Sequence, residues 1–201
     1  MVEKTSPLDK LLKTGHYGKP ENTGEQADLK ISHRTCESLV QVTAWPKTGK
    51  GIATTLEKMT HLSLQGGDAS PANEDFTIMP TGPGQYLIEA QSGDATGRFQ
   101  KKIIPAKGAV TDLTHARVVI RISGDQAVWV LAKGIAIDFS LQAFPVATSR
   151  NTAHHQISLT IHRVNENTFD LFVFTSLACS FWHWLDRAAK EVGYEIVRNV
   201  K

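Results

Sequence analysis

The strongest constraint in this chain is a set of short segments in which apolar and polar side chains alternate at every second residue. In "RVVIRI" (117–122), Val118, Ile120 and Ile122 fall on one face and Arg117 and Arg121 on the other. "QISLTIHR" (156–163) repeats the pattern with Ile157, Leu159 and Ile161. A period of two is the signature of a β-strand with one buried face. Sheets built from such strands are mostly antiparallel and need a covering layer on their apolar side.

Segments of helical period supply that layer. "GIATTLEKMTHL" (51–62) puts Ile52, Leu56, Met59 and Leu62 on one stripe. The last helix, "SLACSFWHWLDRAAKEVG" (176–193), carries Phe181, Leu185, Ala188 and Val192 at helical spacing, with Gly193 as its stop. Between these, "LVQVTAW" (39–45) reads as a strand, and "FTIMP" (76–80) and "QYLIEA" (85–90) flank a "TGPG" hairpin turn. A weak helix over "ATGRFQKKI" ends the first half. The second half continues from 117–122 into a helix at 124–133. A long "FPVATSRNTAHH" connection, the strand at 156–163, a "NENT" turn and the strand "FDLFVF" follow. The expected fold is α+β: two βαββα-like halves, 29–108 and 109–201, with mainly antiparallel sheets and helices packed on one face.

A chain of 201 residues with 41% hydrophobic and 21% charged residues can bury a sizeable core. Its net charge of +2 is too small for a general nucleic-acid binder. Cys36 and Cys179 stand far apart, which speaks against a disulfide framework or zinc site and for a reducing compartment. The start, "MVEKTSPLDKLLKTG", has no apolar signal run, and no stretch is apolar for long enough to cross a bilayer. The expected location is cytoplasmic. Residues 1–28 are polar and rich in Gly and Pro, which predicts a mobile arm whose apolar anchor is "SPLDKLL", with Ser6 capping a short helix that starts at Pro7.

Five places in the sequence offer candidate chemistry. In "ISGDQ", Ser123 and Gln126 form a capping box and Asp125 repels phosphate, so the glycine turn is structural. "PKTGKGIATT" (46–55) lacks the upstream glycine and the magnesium-binding hydroxyl of a P-loop. His154, His155 and His162 match no zinc motif, and adjacent strand residues point to opposite faces. His115, Asp112 and Ser123 lack a nucleophile elbow. Arg117 and Arg121 share a sheet face and can hold a carboxylate, face solvent, or pair with acidic residues of a neighbouring chain, the last two being preferred. No catalytic constellation assembles. Of Trp182 and Trp184, one packs inward and the other is a contact candidate.

The segment "DLTHARVVIRISGDQAVWVLAKGIAIDFSLQAFP" (112–145) resembles the signature of the gamma subunit of heterotetrameric sarcosine oxidase. "FDLFVFTSLACSFWHWLDRAAKEVG" (169–193) is similar to that family's closing strand and helix, "IMPTGPGQYLI" (78–88) to its hairpin, and "SPL" (6–8) to its start. The chain departs from the pattern at Ala147, where the family tends to have glycine, and at Thr175, where it tends to have arginine.

The resemblance implies a fold similar to part of the glycine-cleavage T-protein. It also implies an accessory, non-catalytic subunit with no catalytic, cofactor or metal residues of its own. Its partners are then an alpha subunit as main contact, with beta and delta subunits, and neither nucleic acid nor membrane. FAD, FMN, NAD and zinc are expected in those other chains. The complex demethylates sarcosine oxidatively to glycine with hydrogen peroxide and passes the one-carbon unit to tetrahydrofolate. Pro7, Leu8, Arg117 and Arg121 are the interface candidates. The alternatives are a subunit of a related N-methyl amine dehydrogenase complex, or a freestanding folate or small-acid binding module using Arg117 and Arg121.

Overall fold

The computed structural model describes residues 6–18, 28–64 and 66–197. The chain forms two compact units, each a mainly antiparallel sheet with helices against one face. The first contains residues up to 35, 117–146 and from 152 onward; the second contains 36–116 and 147–151.

In the second unit the order is β3 (Ser38–Ala44), α1 (Gly49–Thr60), β4 (Phe76–Gly82), β5 (Gln85–Ala90), α2 (Ala95–Gln100) and β6 (Gly108–Asp112). The strands align as β4-β5-β3-β6, all antiparallel. Val40, Val42, Ile78 and Ile88 turn to one face and meet Ile52 and Leu56 of α1 and Phe99 of α2. The alternation in β3 and the stripe in α1 are two halves of one core. Gly84 makes the hairpin turn at φ +68°, where a side chain is disfavoured.

The larger sheet, which lies in the first unit apart from residues 148–151, has seven strands in the order β1-β11-β2-β7-β10-β9-β8. Its strands are β1 (Gly15–Tyr17), β2 (Lys30–Arg34), β7 (Arg117–Ser123), β8 (Thr148–His154), β9 (Ile157–Asn165), β10 (Thr168–Phe174) and β11 (Tyr194–Ile196). β11 runs parallel to β2, whereas β1 with β11, β2 with β7, β7 with β10 and β10 with β9 are antiparallel. Val118, Ile120, Ile122, Leu159 and Leu171 face α3 (Ala127–Ala132) and α4 (Ala178–Lys190). Phe181, Trp182, Leu185 and Ala188 are the buried face of α4, and Gly193 follows it at φ +77°.

Four sequence expectations are corrected. The division at 108/109 gives way to strand pairing: β2 joins β7 although it precedes residue 36, and β6 joins β3 although it follows residue 107. The "FPVATSRNTAHH" connection contains the edge strand β8, hidden because its side chains are polar. Ser123 ends β7 instead of capping a helix; α3 starts later, at Ala127, and its N-cap residue Gln126 makes no side-chain cap. The glycine turn is still filled from within, since a Cβ on Gly124 (φ +116°) would collide with the Asp28 carbonyl oxygen.

The fourth correction concerns the predicted arm, of which residues 1–5 and 19–27 lie outside those described. Residues 6–18 are anchored at two points. Leu8 is fully buried in the larger core, and Gly15–Tyr17 pair with Tyr194–Ile196. Ser6–Leu12 make hydrogen-bonded turns, with Ser6 N–H donating to Asp9 Oδ2 at 2.7 Å and Leu8 N–H to Ser6 Oγ at 3.3 Å. No helix among the described residues is long and apolar enough to cross a membrane.

Candidate functional site

Alternation sends Arg117, Val119 and Arg121 of β7 to the face opposite the helices. Register sets Arg121 directly across from Asp170 of β10 and from Ser32 of β2. The Arg121 guanidinium donates from Nε to Asp170 Oδ1 at 2.7 Å and from Nη2 to Oδ2 at 2.8 Å. Arg34 of β2 brings its Nε within 3.2 Å of Asp170 Oδ2. Asp170 is buried, so its carboxylate depends on these cations for the solvation that water would otherwise supply.

Arg117, two residues before Val119 on the same face, does a different job. Its Nη1 donates to the Phe172 carbonyl at 3.1 Å, and its guanidinium carbon lies 3.6 Å from the centre of the Phe174 ring. Burial lowers its pKa, which remains that of a cation at neutral pH. Phe174 is itself exposed, and Thr175 begins the single 3-10 turn that follows it. Arg117 and Phe174 thus present a cation and a ring edge at the end of β10, while Arg121 is consumed within the chain.

The four predicted contact residues therefore part company. Leu8 is core, Arg121 is paired with Asp170, and Pro7 and Arg117 are half-buried. Asp170 and Arg34 were not singled out from the sequence. The signal for Asp170 was legible: a lone carboxylate inside "FDLFVF", an otherwise apolar strand, must find a cation nearby.

A second polar cluster joins α4 to β8. The His154 ring stacks on Trp184 with centroids 4.0 Å apart, and its Nδ1 lies 3.1 Å from the Gly134 carbonyl. His155 adopts φ +50° and brings its ring within 4.4 Å of His154, so these neighbours meet instead of pointing apart. Burial pushes the His154 pKa down, against the pull of the Gly134 carbonyl. Among the described residues no group of three or more His, Cys, Asp or Glu is placed to hold a metal. Trp182 is the inward tryptophan of the pair.

The second unit contains a cavity of about 480 Å³ beneath the Thr81–Gly84 hairpin. Its wall includes Arg150, which is paired with Asp68 at 2.7 Å, and Ser149, whose hydroxyl donates to the Pro80 carbonyl at 3.2 Å. Asn151 donates to the Thr81 carbonyl, and Tyr86 contributes a phenol whose pKa is raised by burial and by Glu57. The polar groups of this wall hold the hairpin against the start of β8.

The model of the sarcosine oxidase gamma subunit family matches residues 50–191. The chain belongs to that family. Among curated relatives, the sarcosine oxidase gamma subunit of Corynebacterium sp. (strain P-1) is 26% identical over 98% of this chain and 97% of its own length. That of Arthrobacter sp. is 28% identical over 76% of this chain and 75% of its own.

Among solved structures, this gamma-subunit family member superposes on a chain of the heterotetrameric sarcosine oxidase from Corynebacterium sp. U-96 with a TM-score of 0.74. The match has 19% identity and covers 85% of this chain and 88% of that one. It also matches the glycine cleavage system aminomethyltransferase T from Bartonella henselae with a TM-score of 0.59 at 15% identity. That match covers 86% of this chain but 48% of the other. The gamma fold is accordingly similar to about half of a T-protein, as the resemblance implied.

Proposed function

We propose that this chain is the accessory, non-catalytic gamma subunit of a heterotetrameric sarcosine oxidase-type complex. Its partner chains demethylate sarcosine oxidatively to glycine and hydrogen peroxide, and pass the one-carbon unit to tetrahydrofolate. FAD, FMN, NAD and zinc reside in those chains, an alpha subunit is the main contact, and the complex is cytoplasmic. The observation that carries the reading is the family match, together with a fold that covers most of a chain of the Corynebacterium heterotetramer. The site geometry supports it. Arg121, one of the two cations on which a freestanding folate or small-acid module would rely, already has its Nε and Nη2 on Asp170.

Within this reading, Pro7 and Arg117 are the predicted residues that reach a partner, and Phe174 joins them through its stack with Arg117. Co-expression with the flavin-binding large subunits tests the role. The chain is expected to co-elute with them in size-exclusion chromatography and to show no saturable tetrahydrofolate binding in calorimetry when alone. A chain that stays monomeric beside those subunits, or binds tetrahydrofolate in an Arg117-dependent way, would contradict it.

A further inference from the structure

At the end of β3 the chain turns through "WPKTGKG" into α1, and the segment after α2, "KKIIPAKG", runs beside it. Three interactions lace the two together. The Trp45 indole N–H donates to the Pro105 carbonyl at 2.7 Å, and its backbone N–H donates to the Lys107 carbonyl at 3.0 Å. The Thr48 hydroxyl lies within hydrogen-bond distance of both the Trp45 and Lys107 carbonyls. Trp45 is thus fixed, yet 42% exposed, and Ile104 on the partner segment is 51% exposed. Pro46, Pro105 and Ala106 are exposed beside them. Apolar groups gathered and immobilised in water, rather than scattered singly, mark a contact surface. An aromatic ring already held in place loses little further freedom on binding.

The charge around this surface is one-sided. Lys47, Lys50, Lys101, Lys102 and Lys107 are all exposed, and residues 45–52 and 100–108 include no acidic residue. The chain has 22 Lys and Arg against 20 Asp and Glu; with these five set aside, 17 remain against 20. The surface is therefore a cationic island on a chain that is otherwise slightly acidic. The N-terminus of α1 adds to it, because the first turn has no acidic residue and Thr48 makes no side-chain cap. The Thr48 hydroxyl is occupied by the two carbonyls just described.

We propose that this surface docks an acidic segment of a partner polypeptide that carries an apolar side chain onto Trp45 and Ile104. The two segments offer lysines but no arginine for bidentate phosphate contacts, and the acidic remainder of the chain opposes nucleic acid over any longer footprint. A short carboxylate-bearing segment satisfies the island without meeting that remainder. The inference rests on the subunit reading and names the face through which the second unit takes part in it.

The test uses the full-length chain co-expressed with the flavin-binding large subunits. In one variant Lys47, Lys50 and Lys107 are changed to Glu; a milder one changes them to Gln, and a third is Ile104→Ser. Lys58→Glu, an exposed lysine at the other end of α1, is the control. Unchanged melting temperatures establish that each variant folds. The expected result is a complex for wild type and control, with association weakened about tenfold or more by the Glu variant, less by the Gln variant, and with a reduced salt dependence. A wild-type complex that the folded variants join equally well overturns the docking face alone. If the wild type itself joins no complex, the subunit reading fails and takes this inference with it. A surface that instead binds duplex DNA or phosphatidylserine vesicles, and loses that binding in the Glu variant while the complex is untouched, also overturns the proposal.

Discussion

At the residue scale, the departure at Ala147 has a physical meaning. Ala147 adopts φ +57° at an exposed position, and its carbonyl accepts from the Ser70 N–H at 2.8 Å. A left-handed conformation costs a non-glycine residue roughly 1–2 kcal/mol, part of which glycine returns through its greater freedom when unfolded. The glycine that the resemblance implies here would suit this backbone conformation, which Ala147 adopts at a cost. Ala147→Gly is expected to stabilise the protein by about 0.5–1 kcal/mol, raising the melting temperature by about 1–4 °C. A thermal melt that moves down instead would contradict the strain. Sequence alone could not reveal this, because φ at a loop residue depends on the strand that follows.

At the element scale, the elements with strong periodicity were legible and the polar or short ones were not. The strand at 85–90 was placed by the hairpin turn before it, the start of β7 by alternation and α1 by its stripe, because a turn motif or one buried face leaves a regular pattern. The edge strand β8 and the short strands β1, β2, β6 and β11 left no such trace. An edge strand can satisfy polar side chains in water, and three to five residues are too few for a period. The candidate site suffered for the same reason. Arg117 and Arg121 were visible as the polar face of β7, but Arg34 stands on a strand that was missed, and Asp170 is joined to both arginines only by register. Removing the shared carboxylate would strand buried cations, so Asp170→Ala is expected to cost about 3–5 kcal/mol in urea unfolding. A loss below about 1 kcal/mol would show that water reaches this face.

At the scale of the whole molecule, two histidines tie stability to pH. Burial pushes down the pKa of His33 on β2, against the attraction of Asp9, and that of His154 on β8, beside His155 and the Gly134 carbonyl. Each takes up a proton less readily in the folded chain than in the unfolded chain, where histidine is protonated below about pH 6.5. Their contribution is complete above that value and is lost as pH falls below it. The urea midpoint is expected to drop between pH 7.5 and pH 5.5, and to drop less in His154→Phe. Equal midpoints across that window would refute the assignment.

The order β1-β11-β2 at one margin of the larger sheet bears on how the chain is made. Gly15–Tyr17 have Tyr194–Ile196 as their neighbours, separated by most of the polypeptide. On a ribosome, β1 would emerge long before β11 and would wait for it before it found its place. Until then a chaperone, or the wait itself, must keep that margin from pairing with another nascent chain.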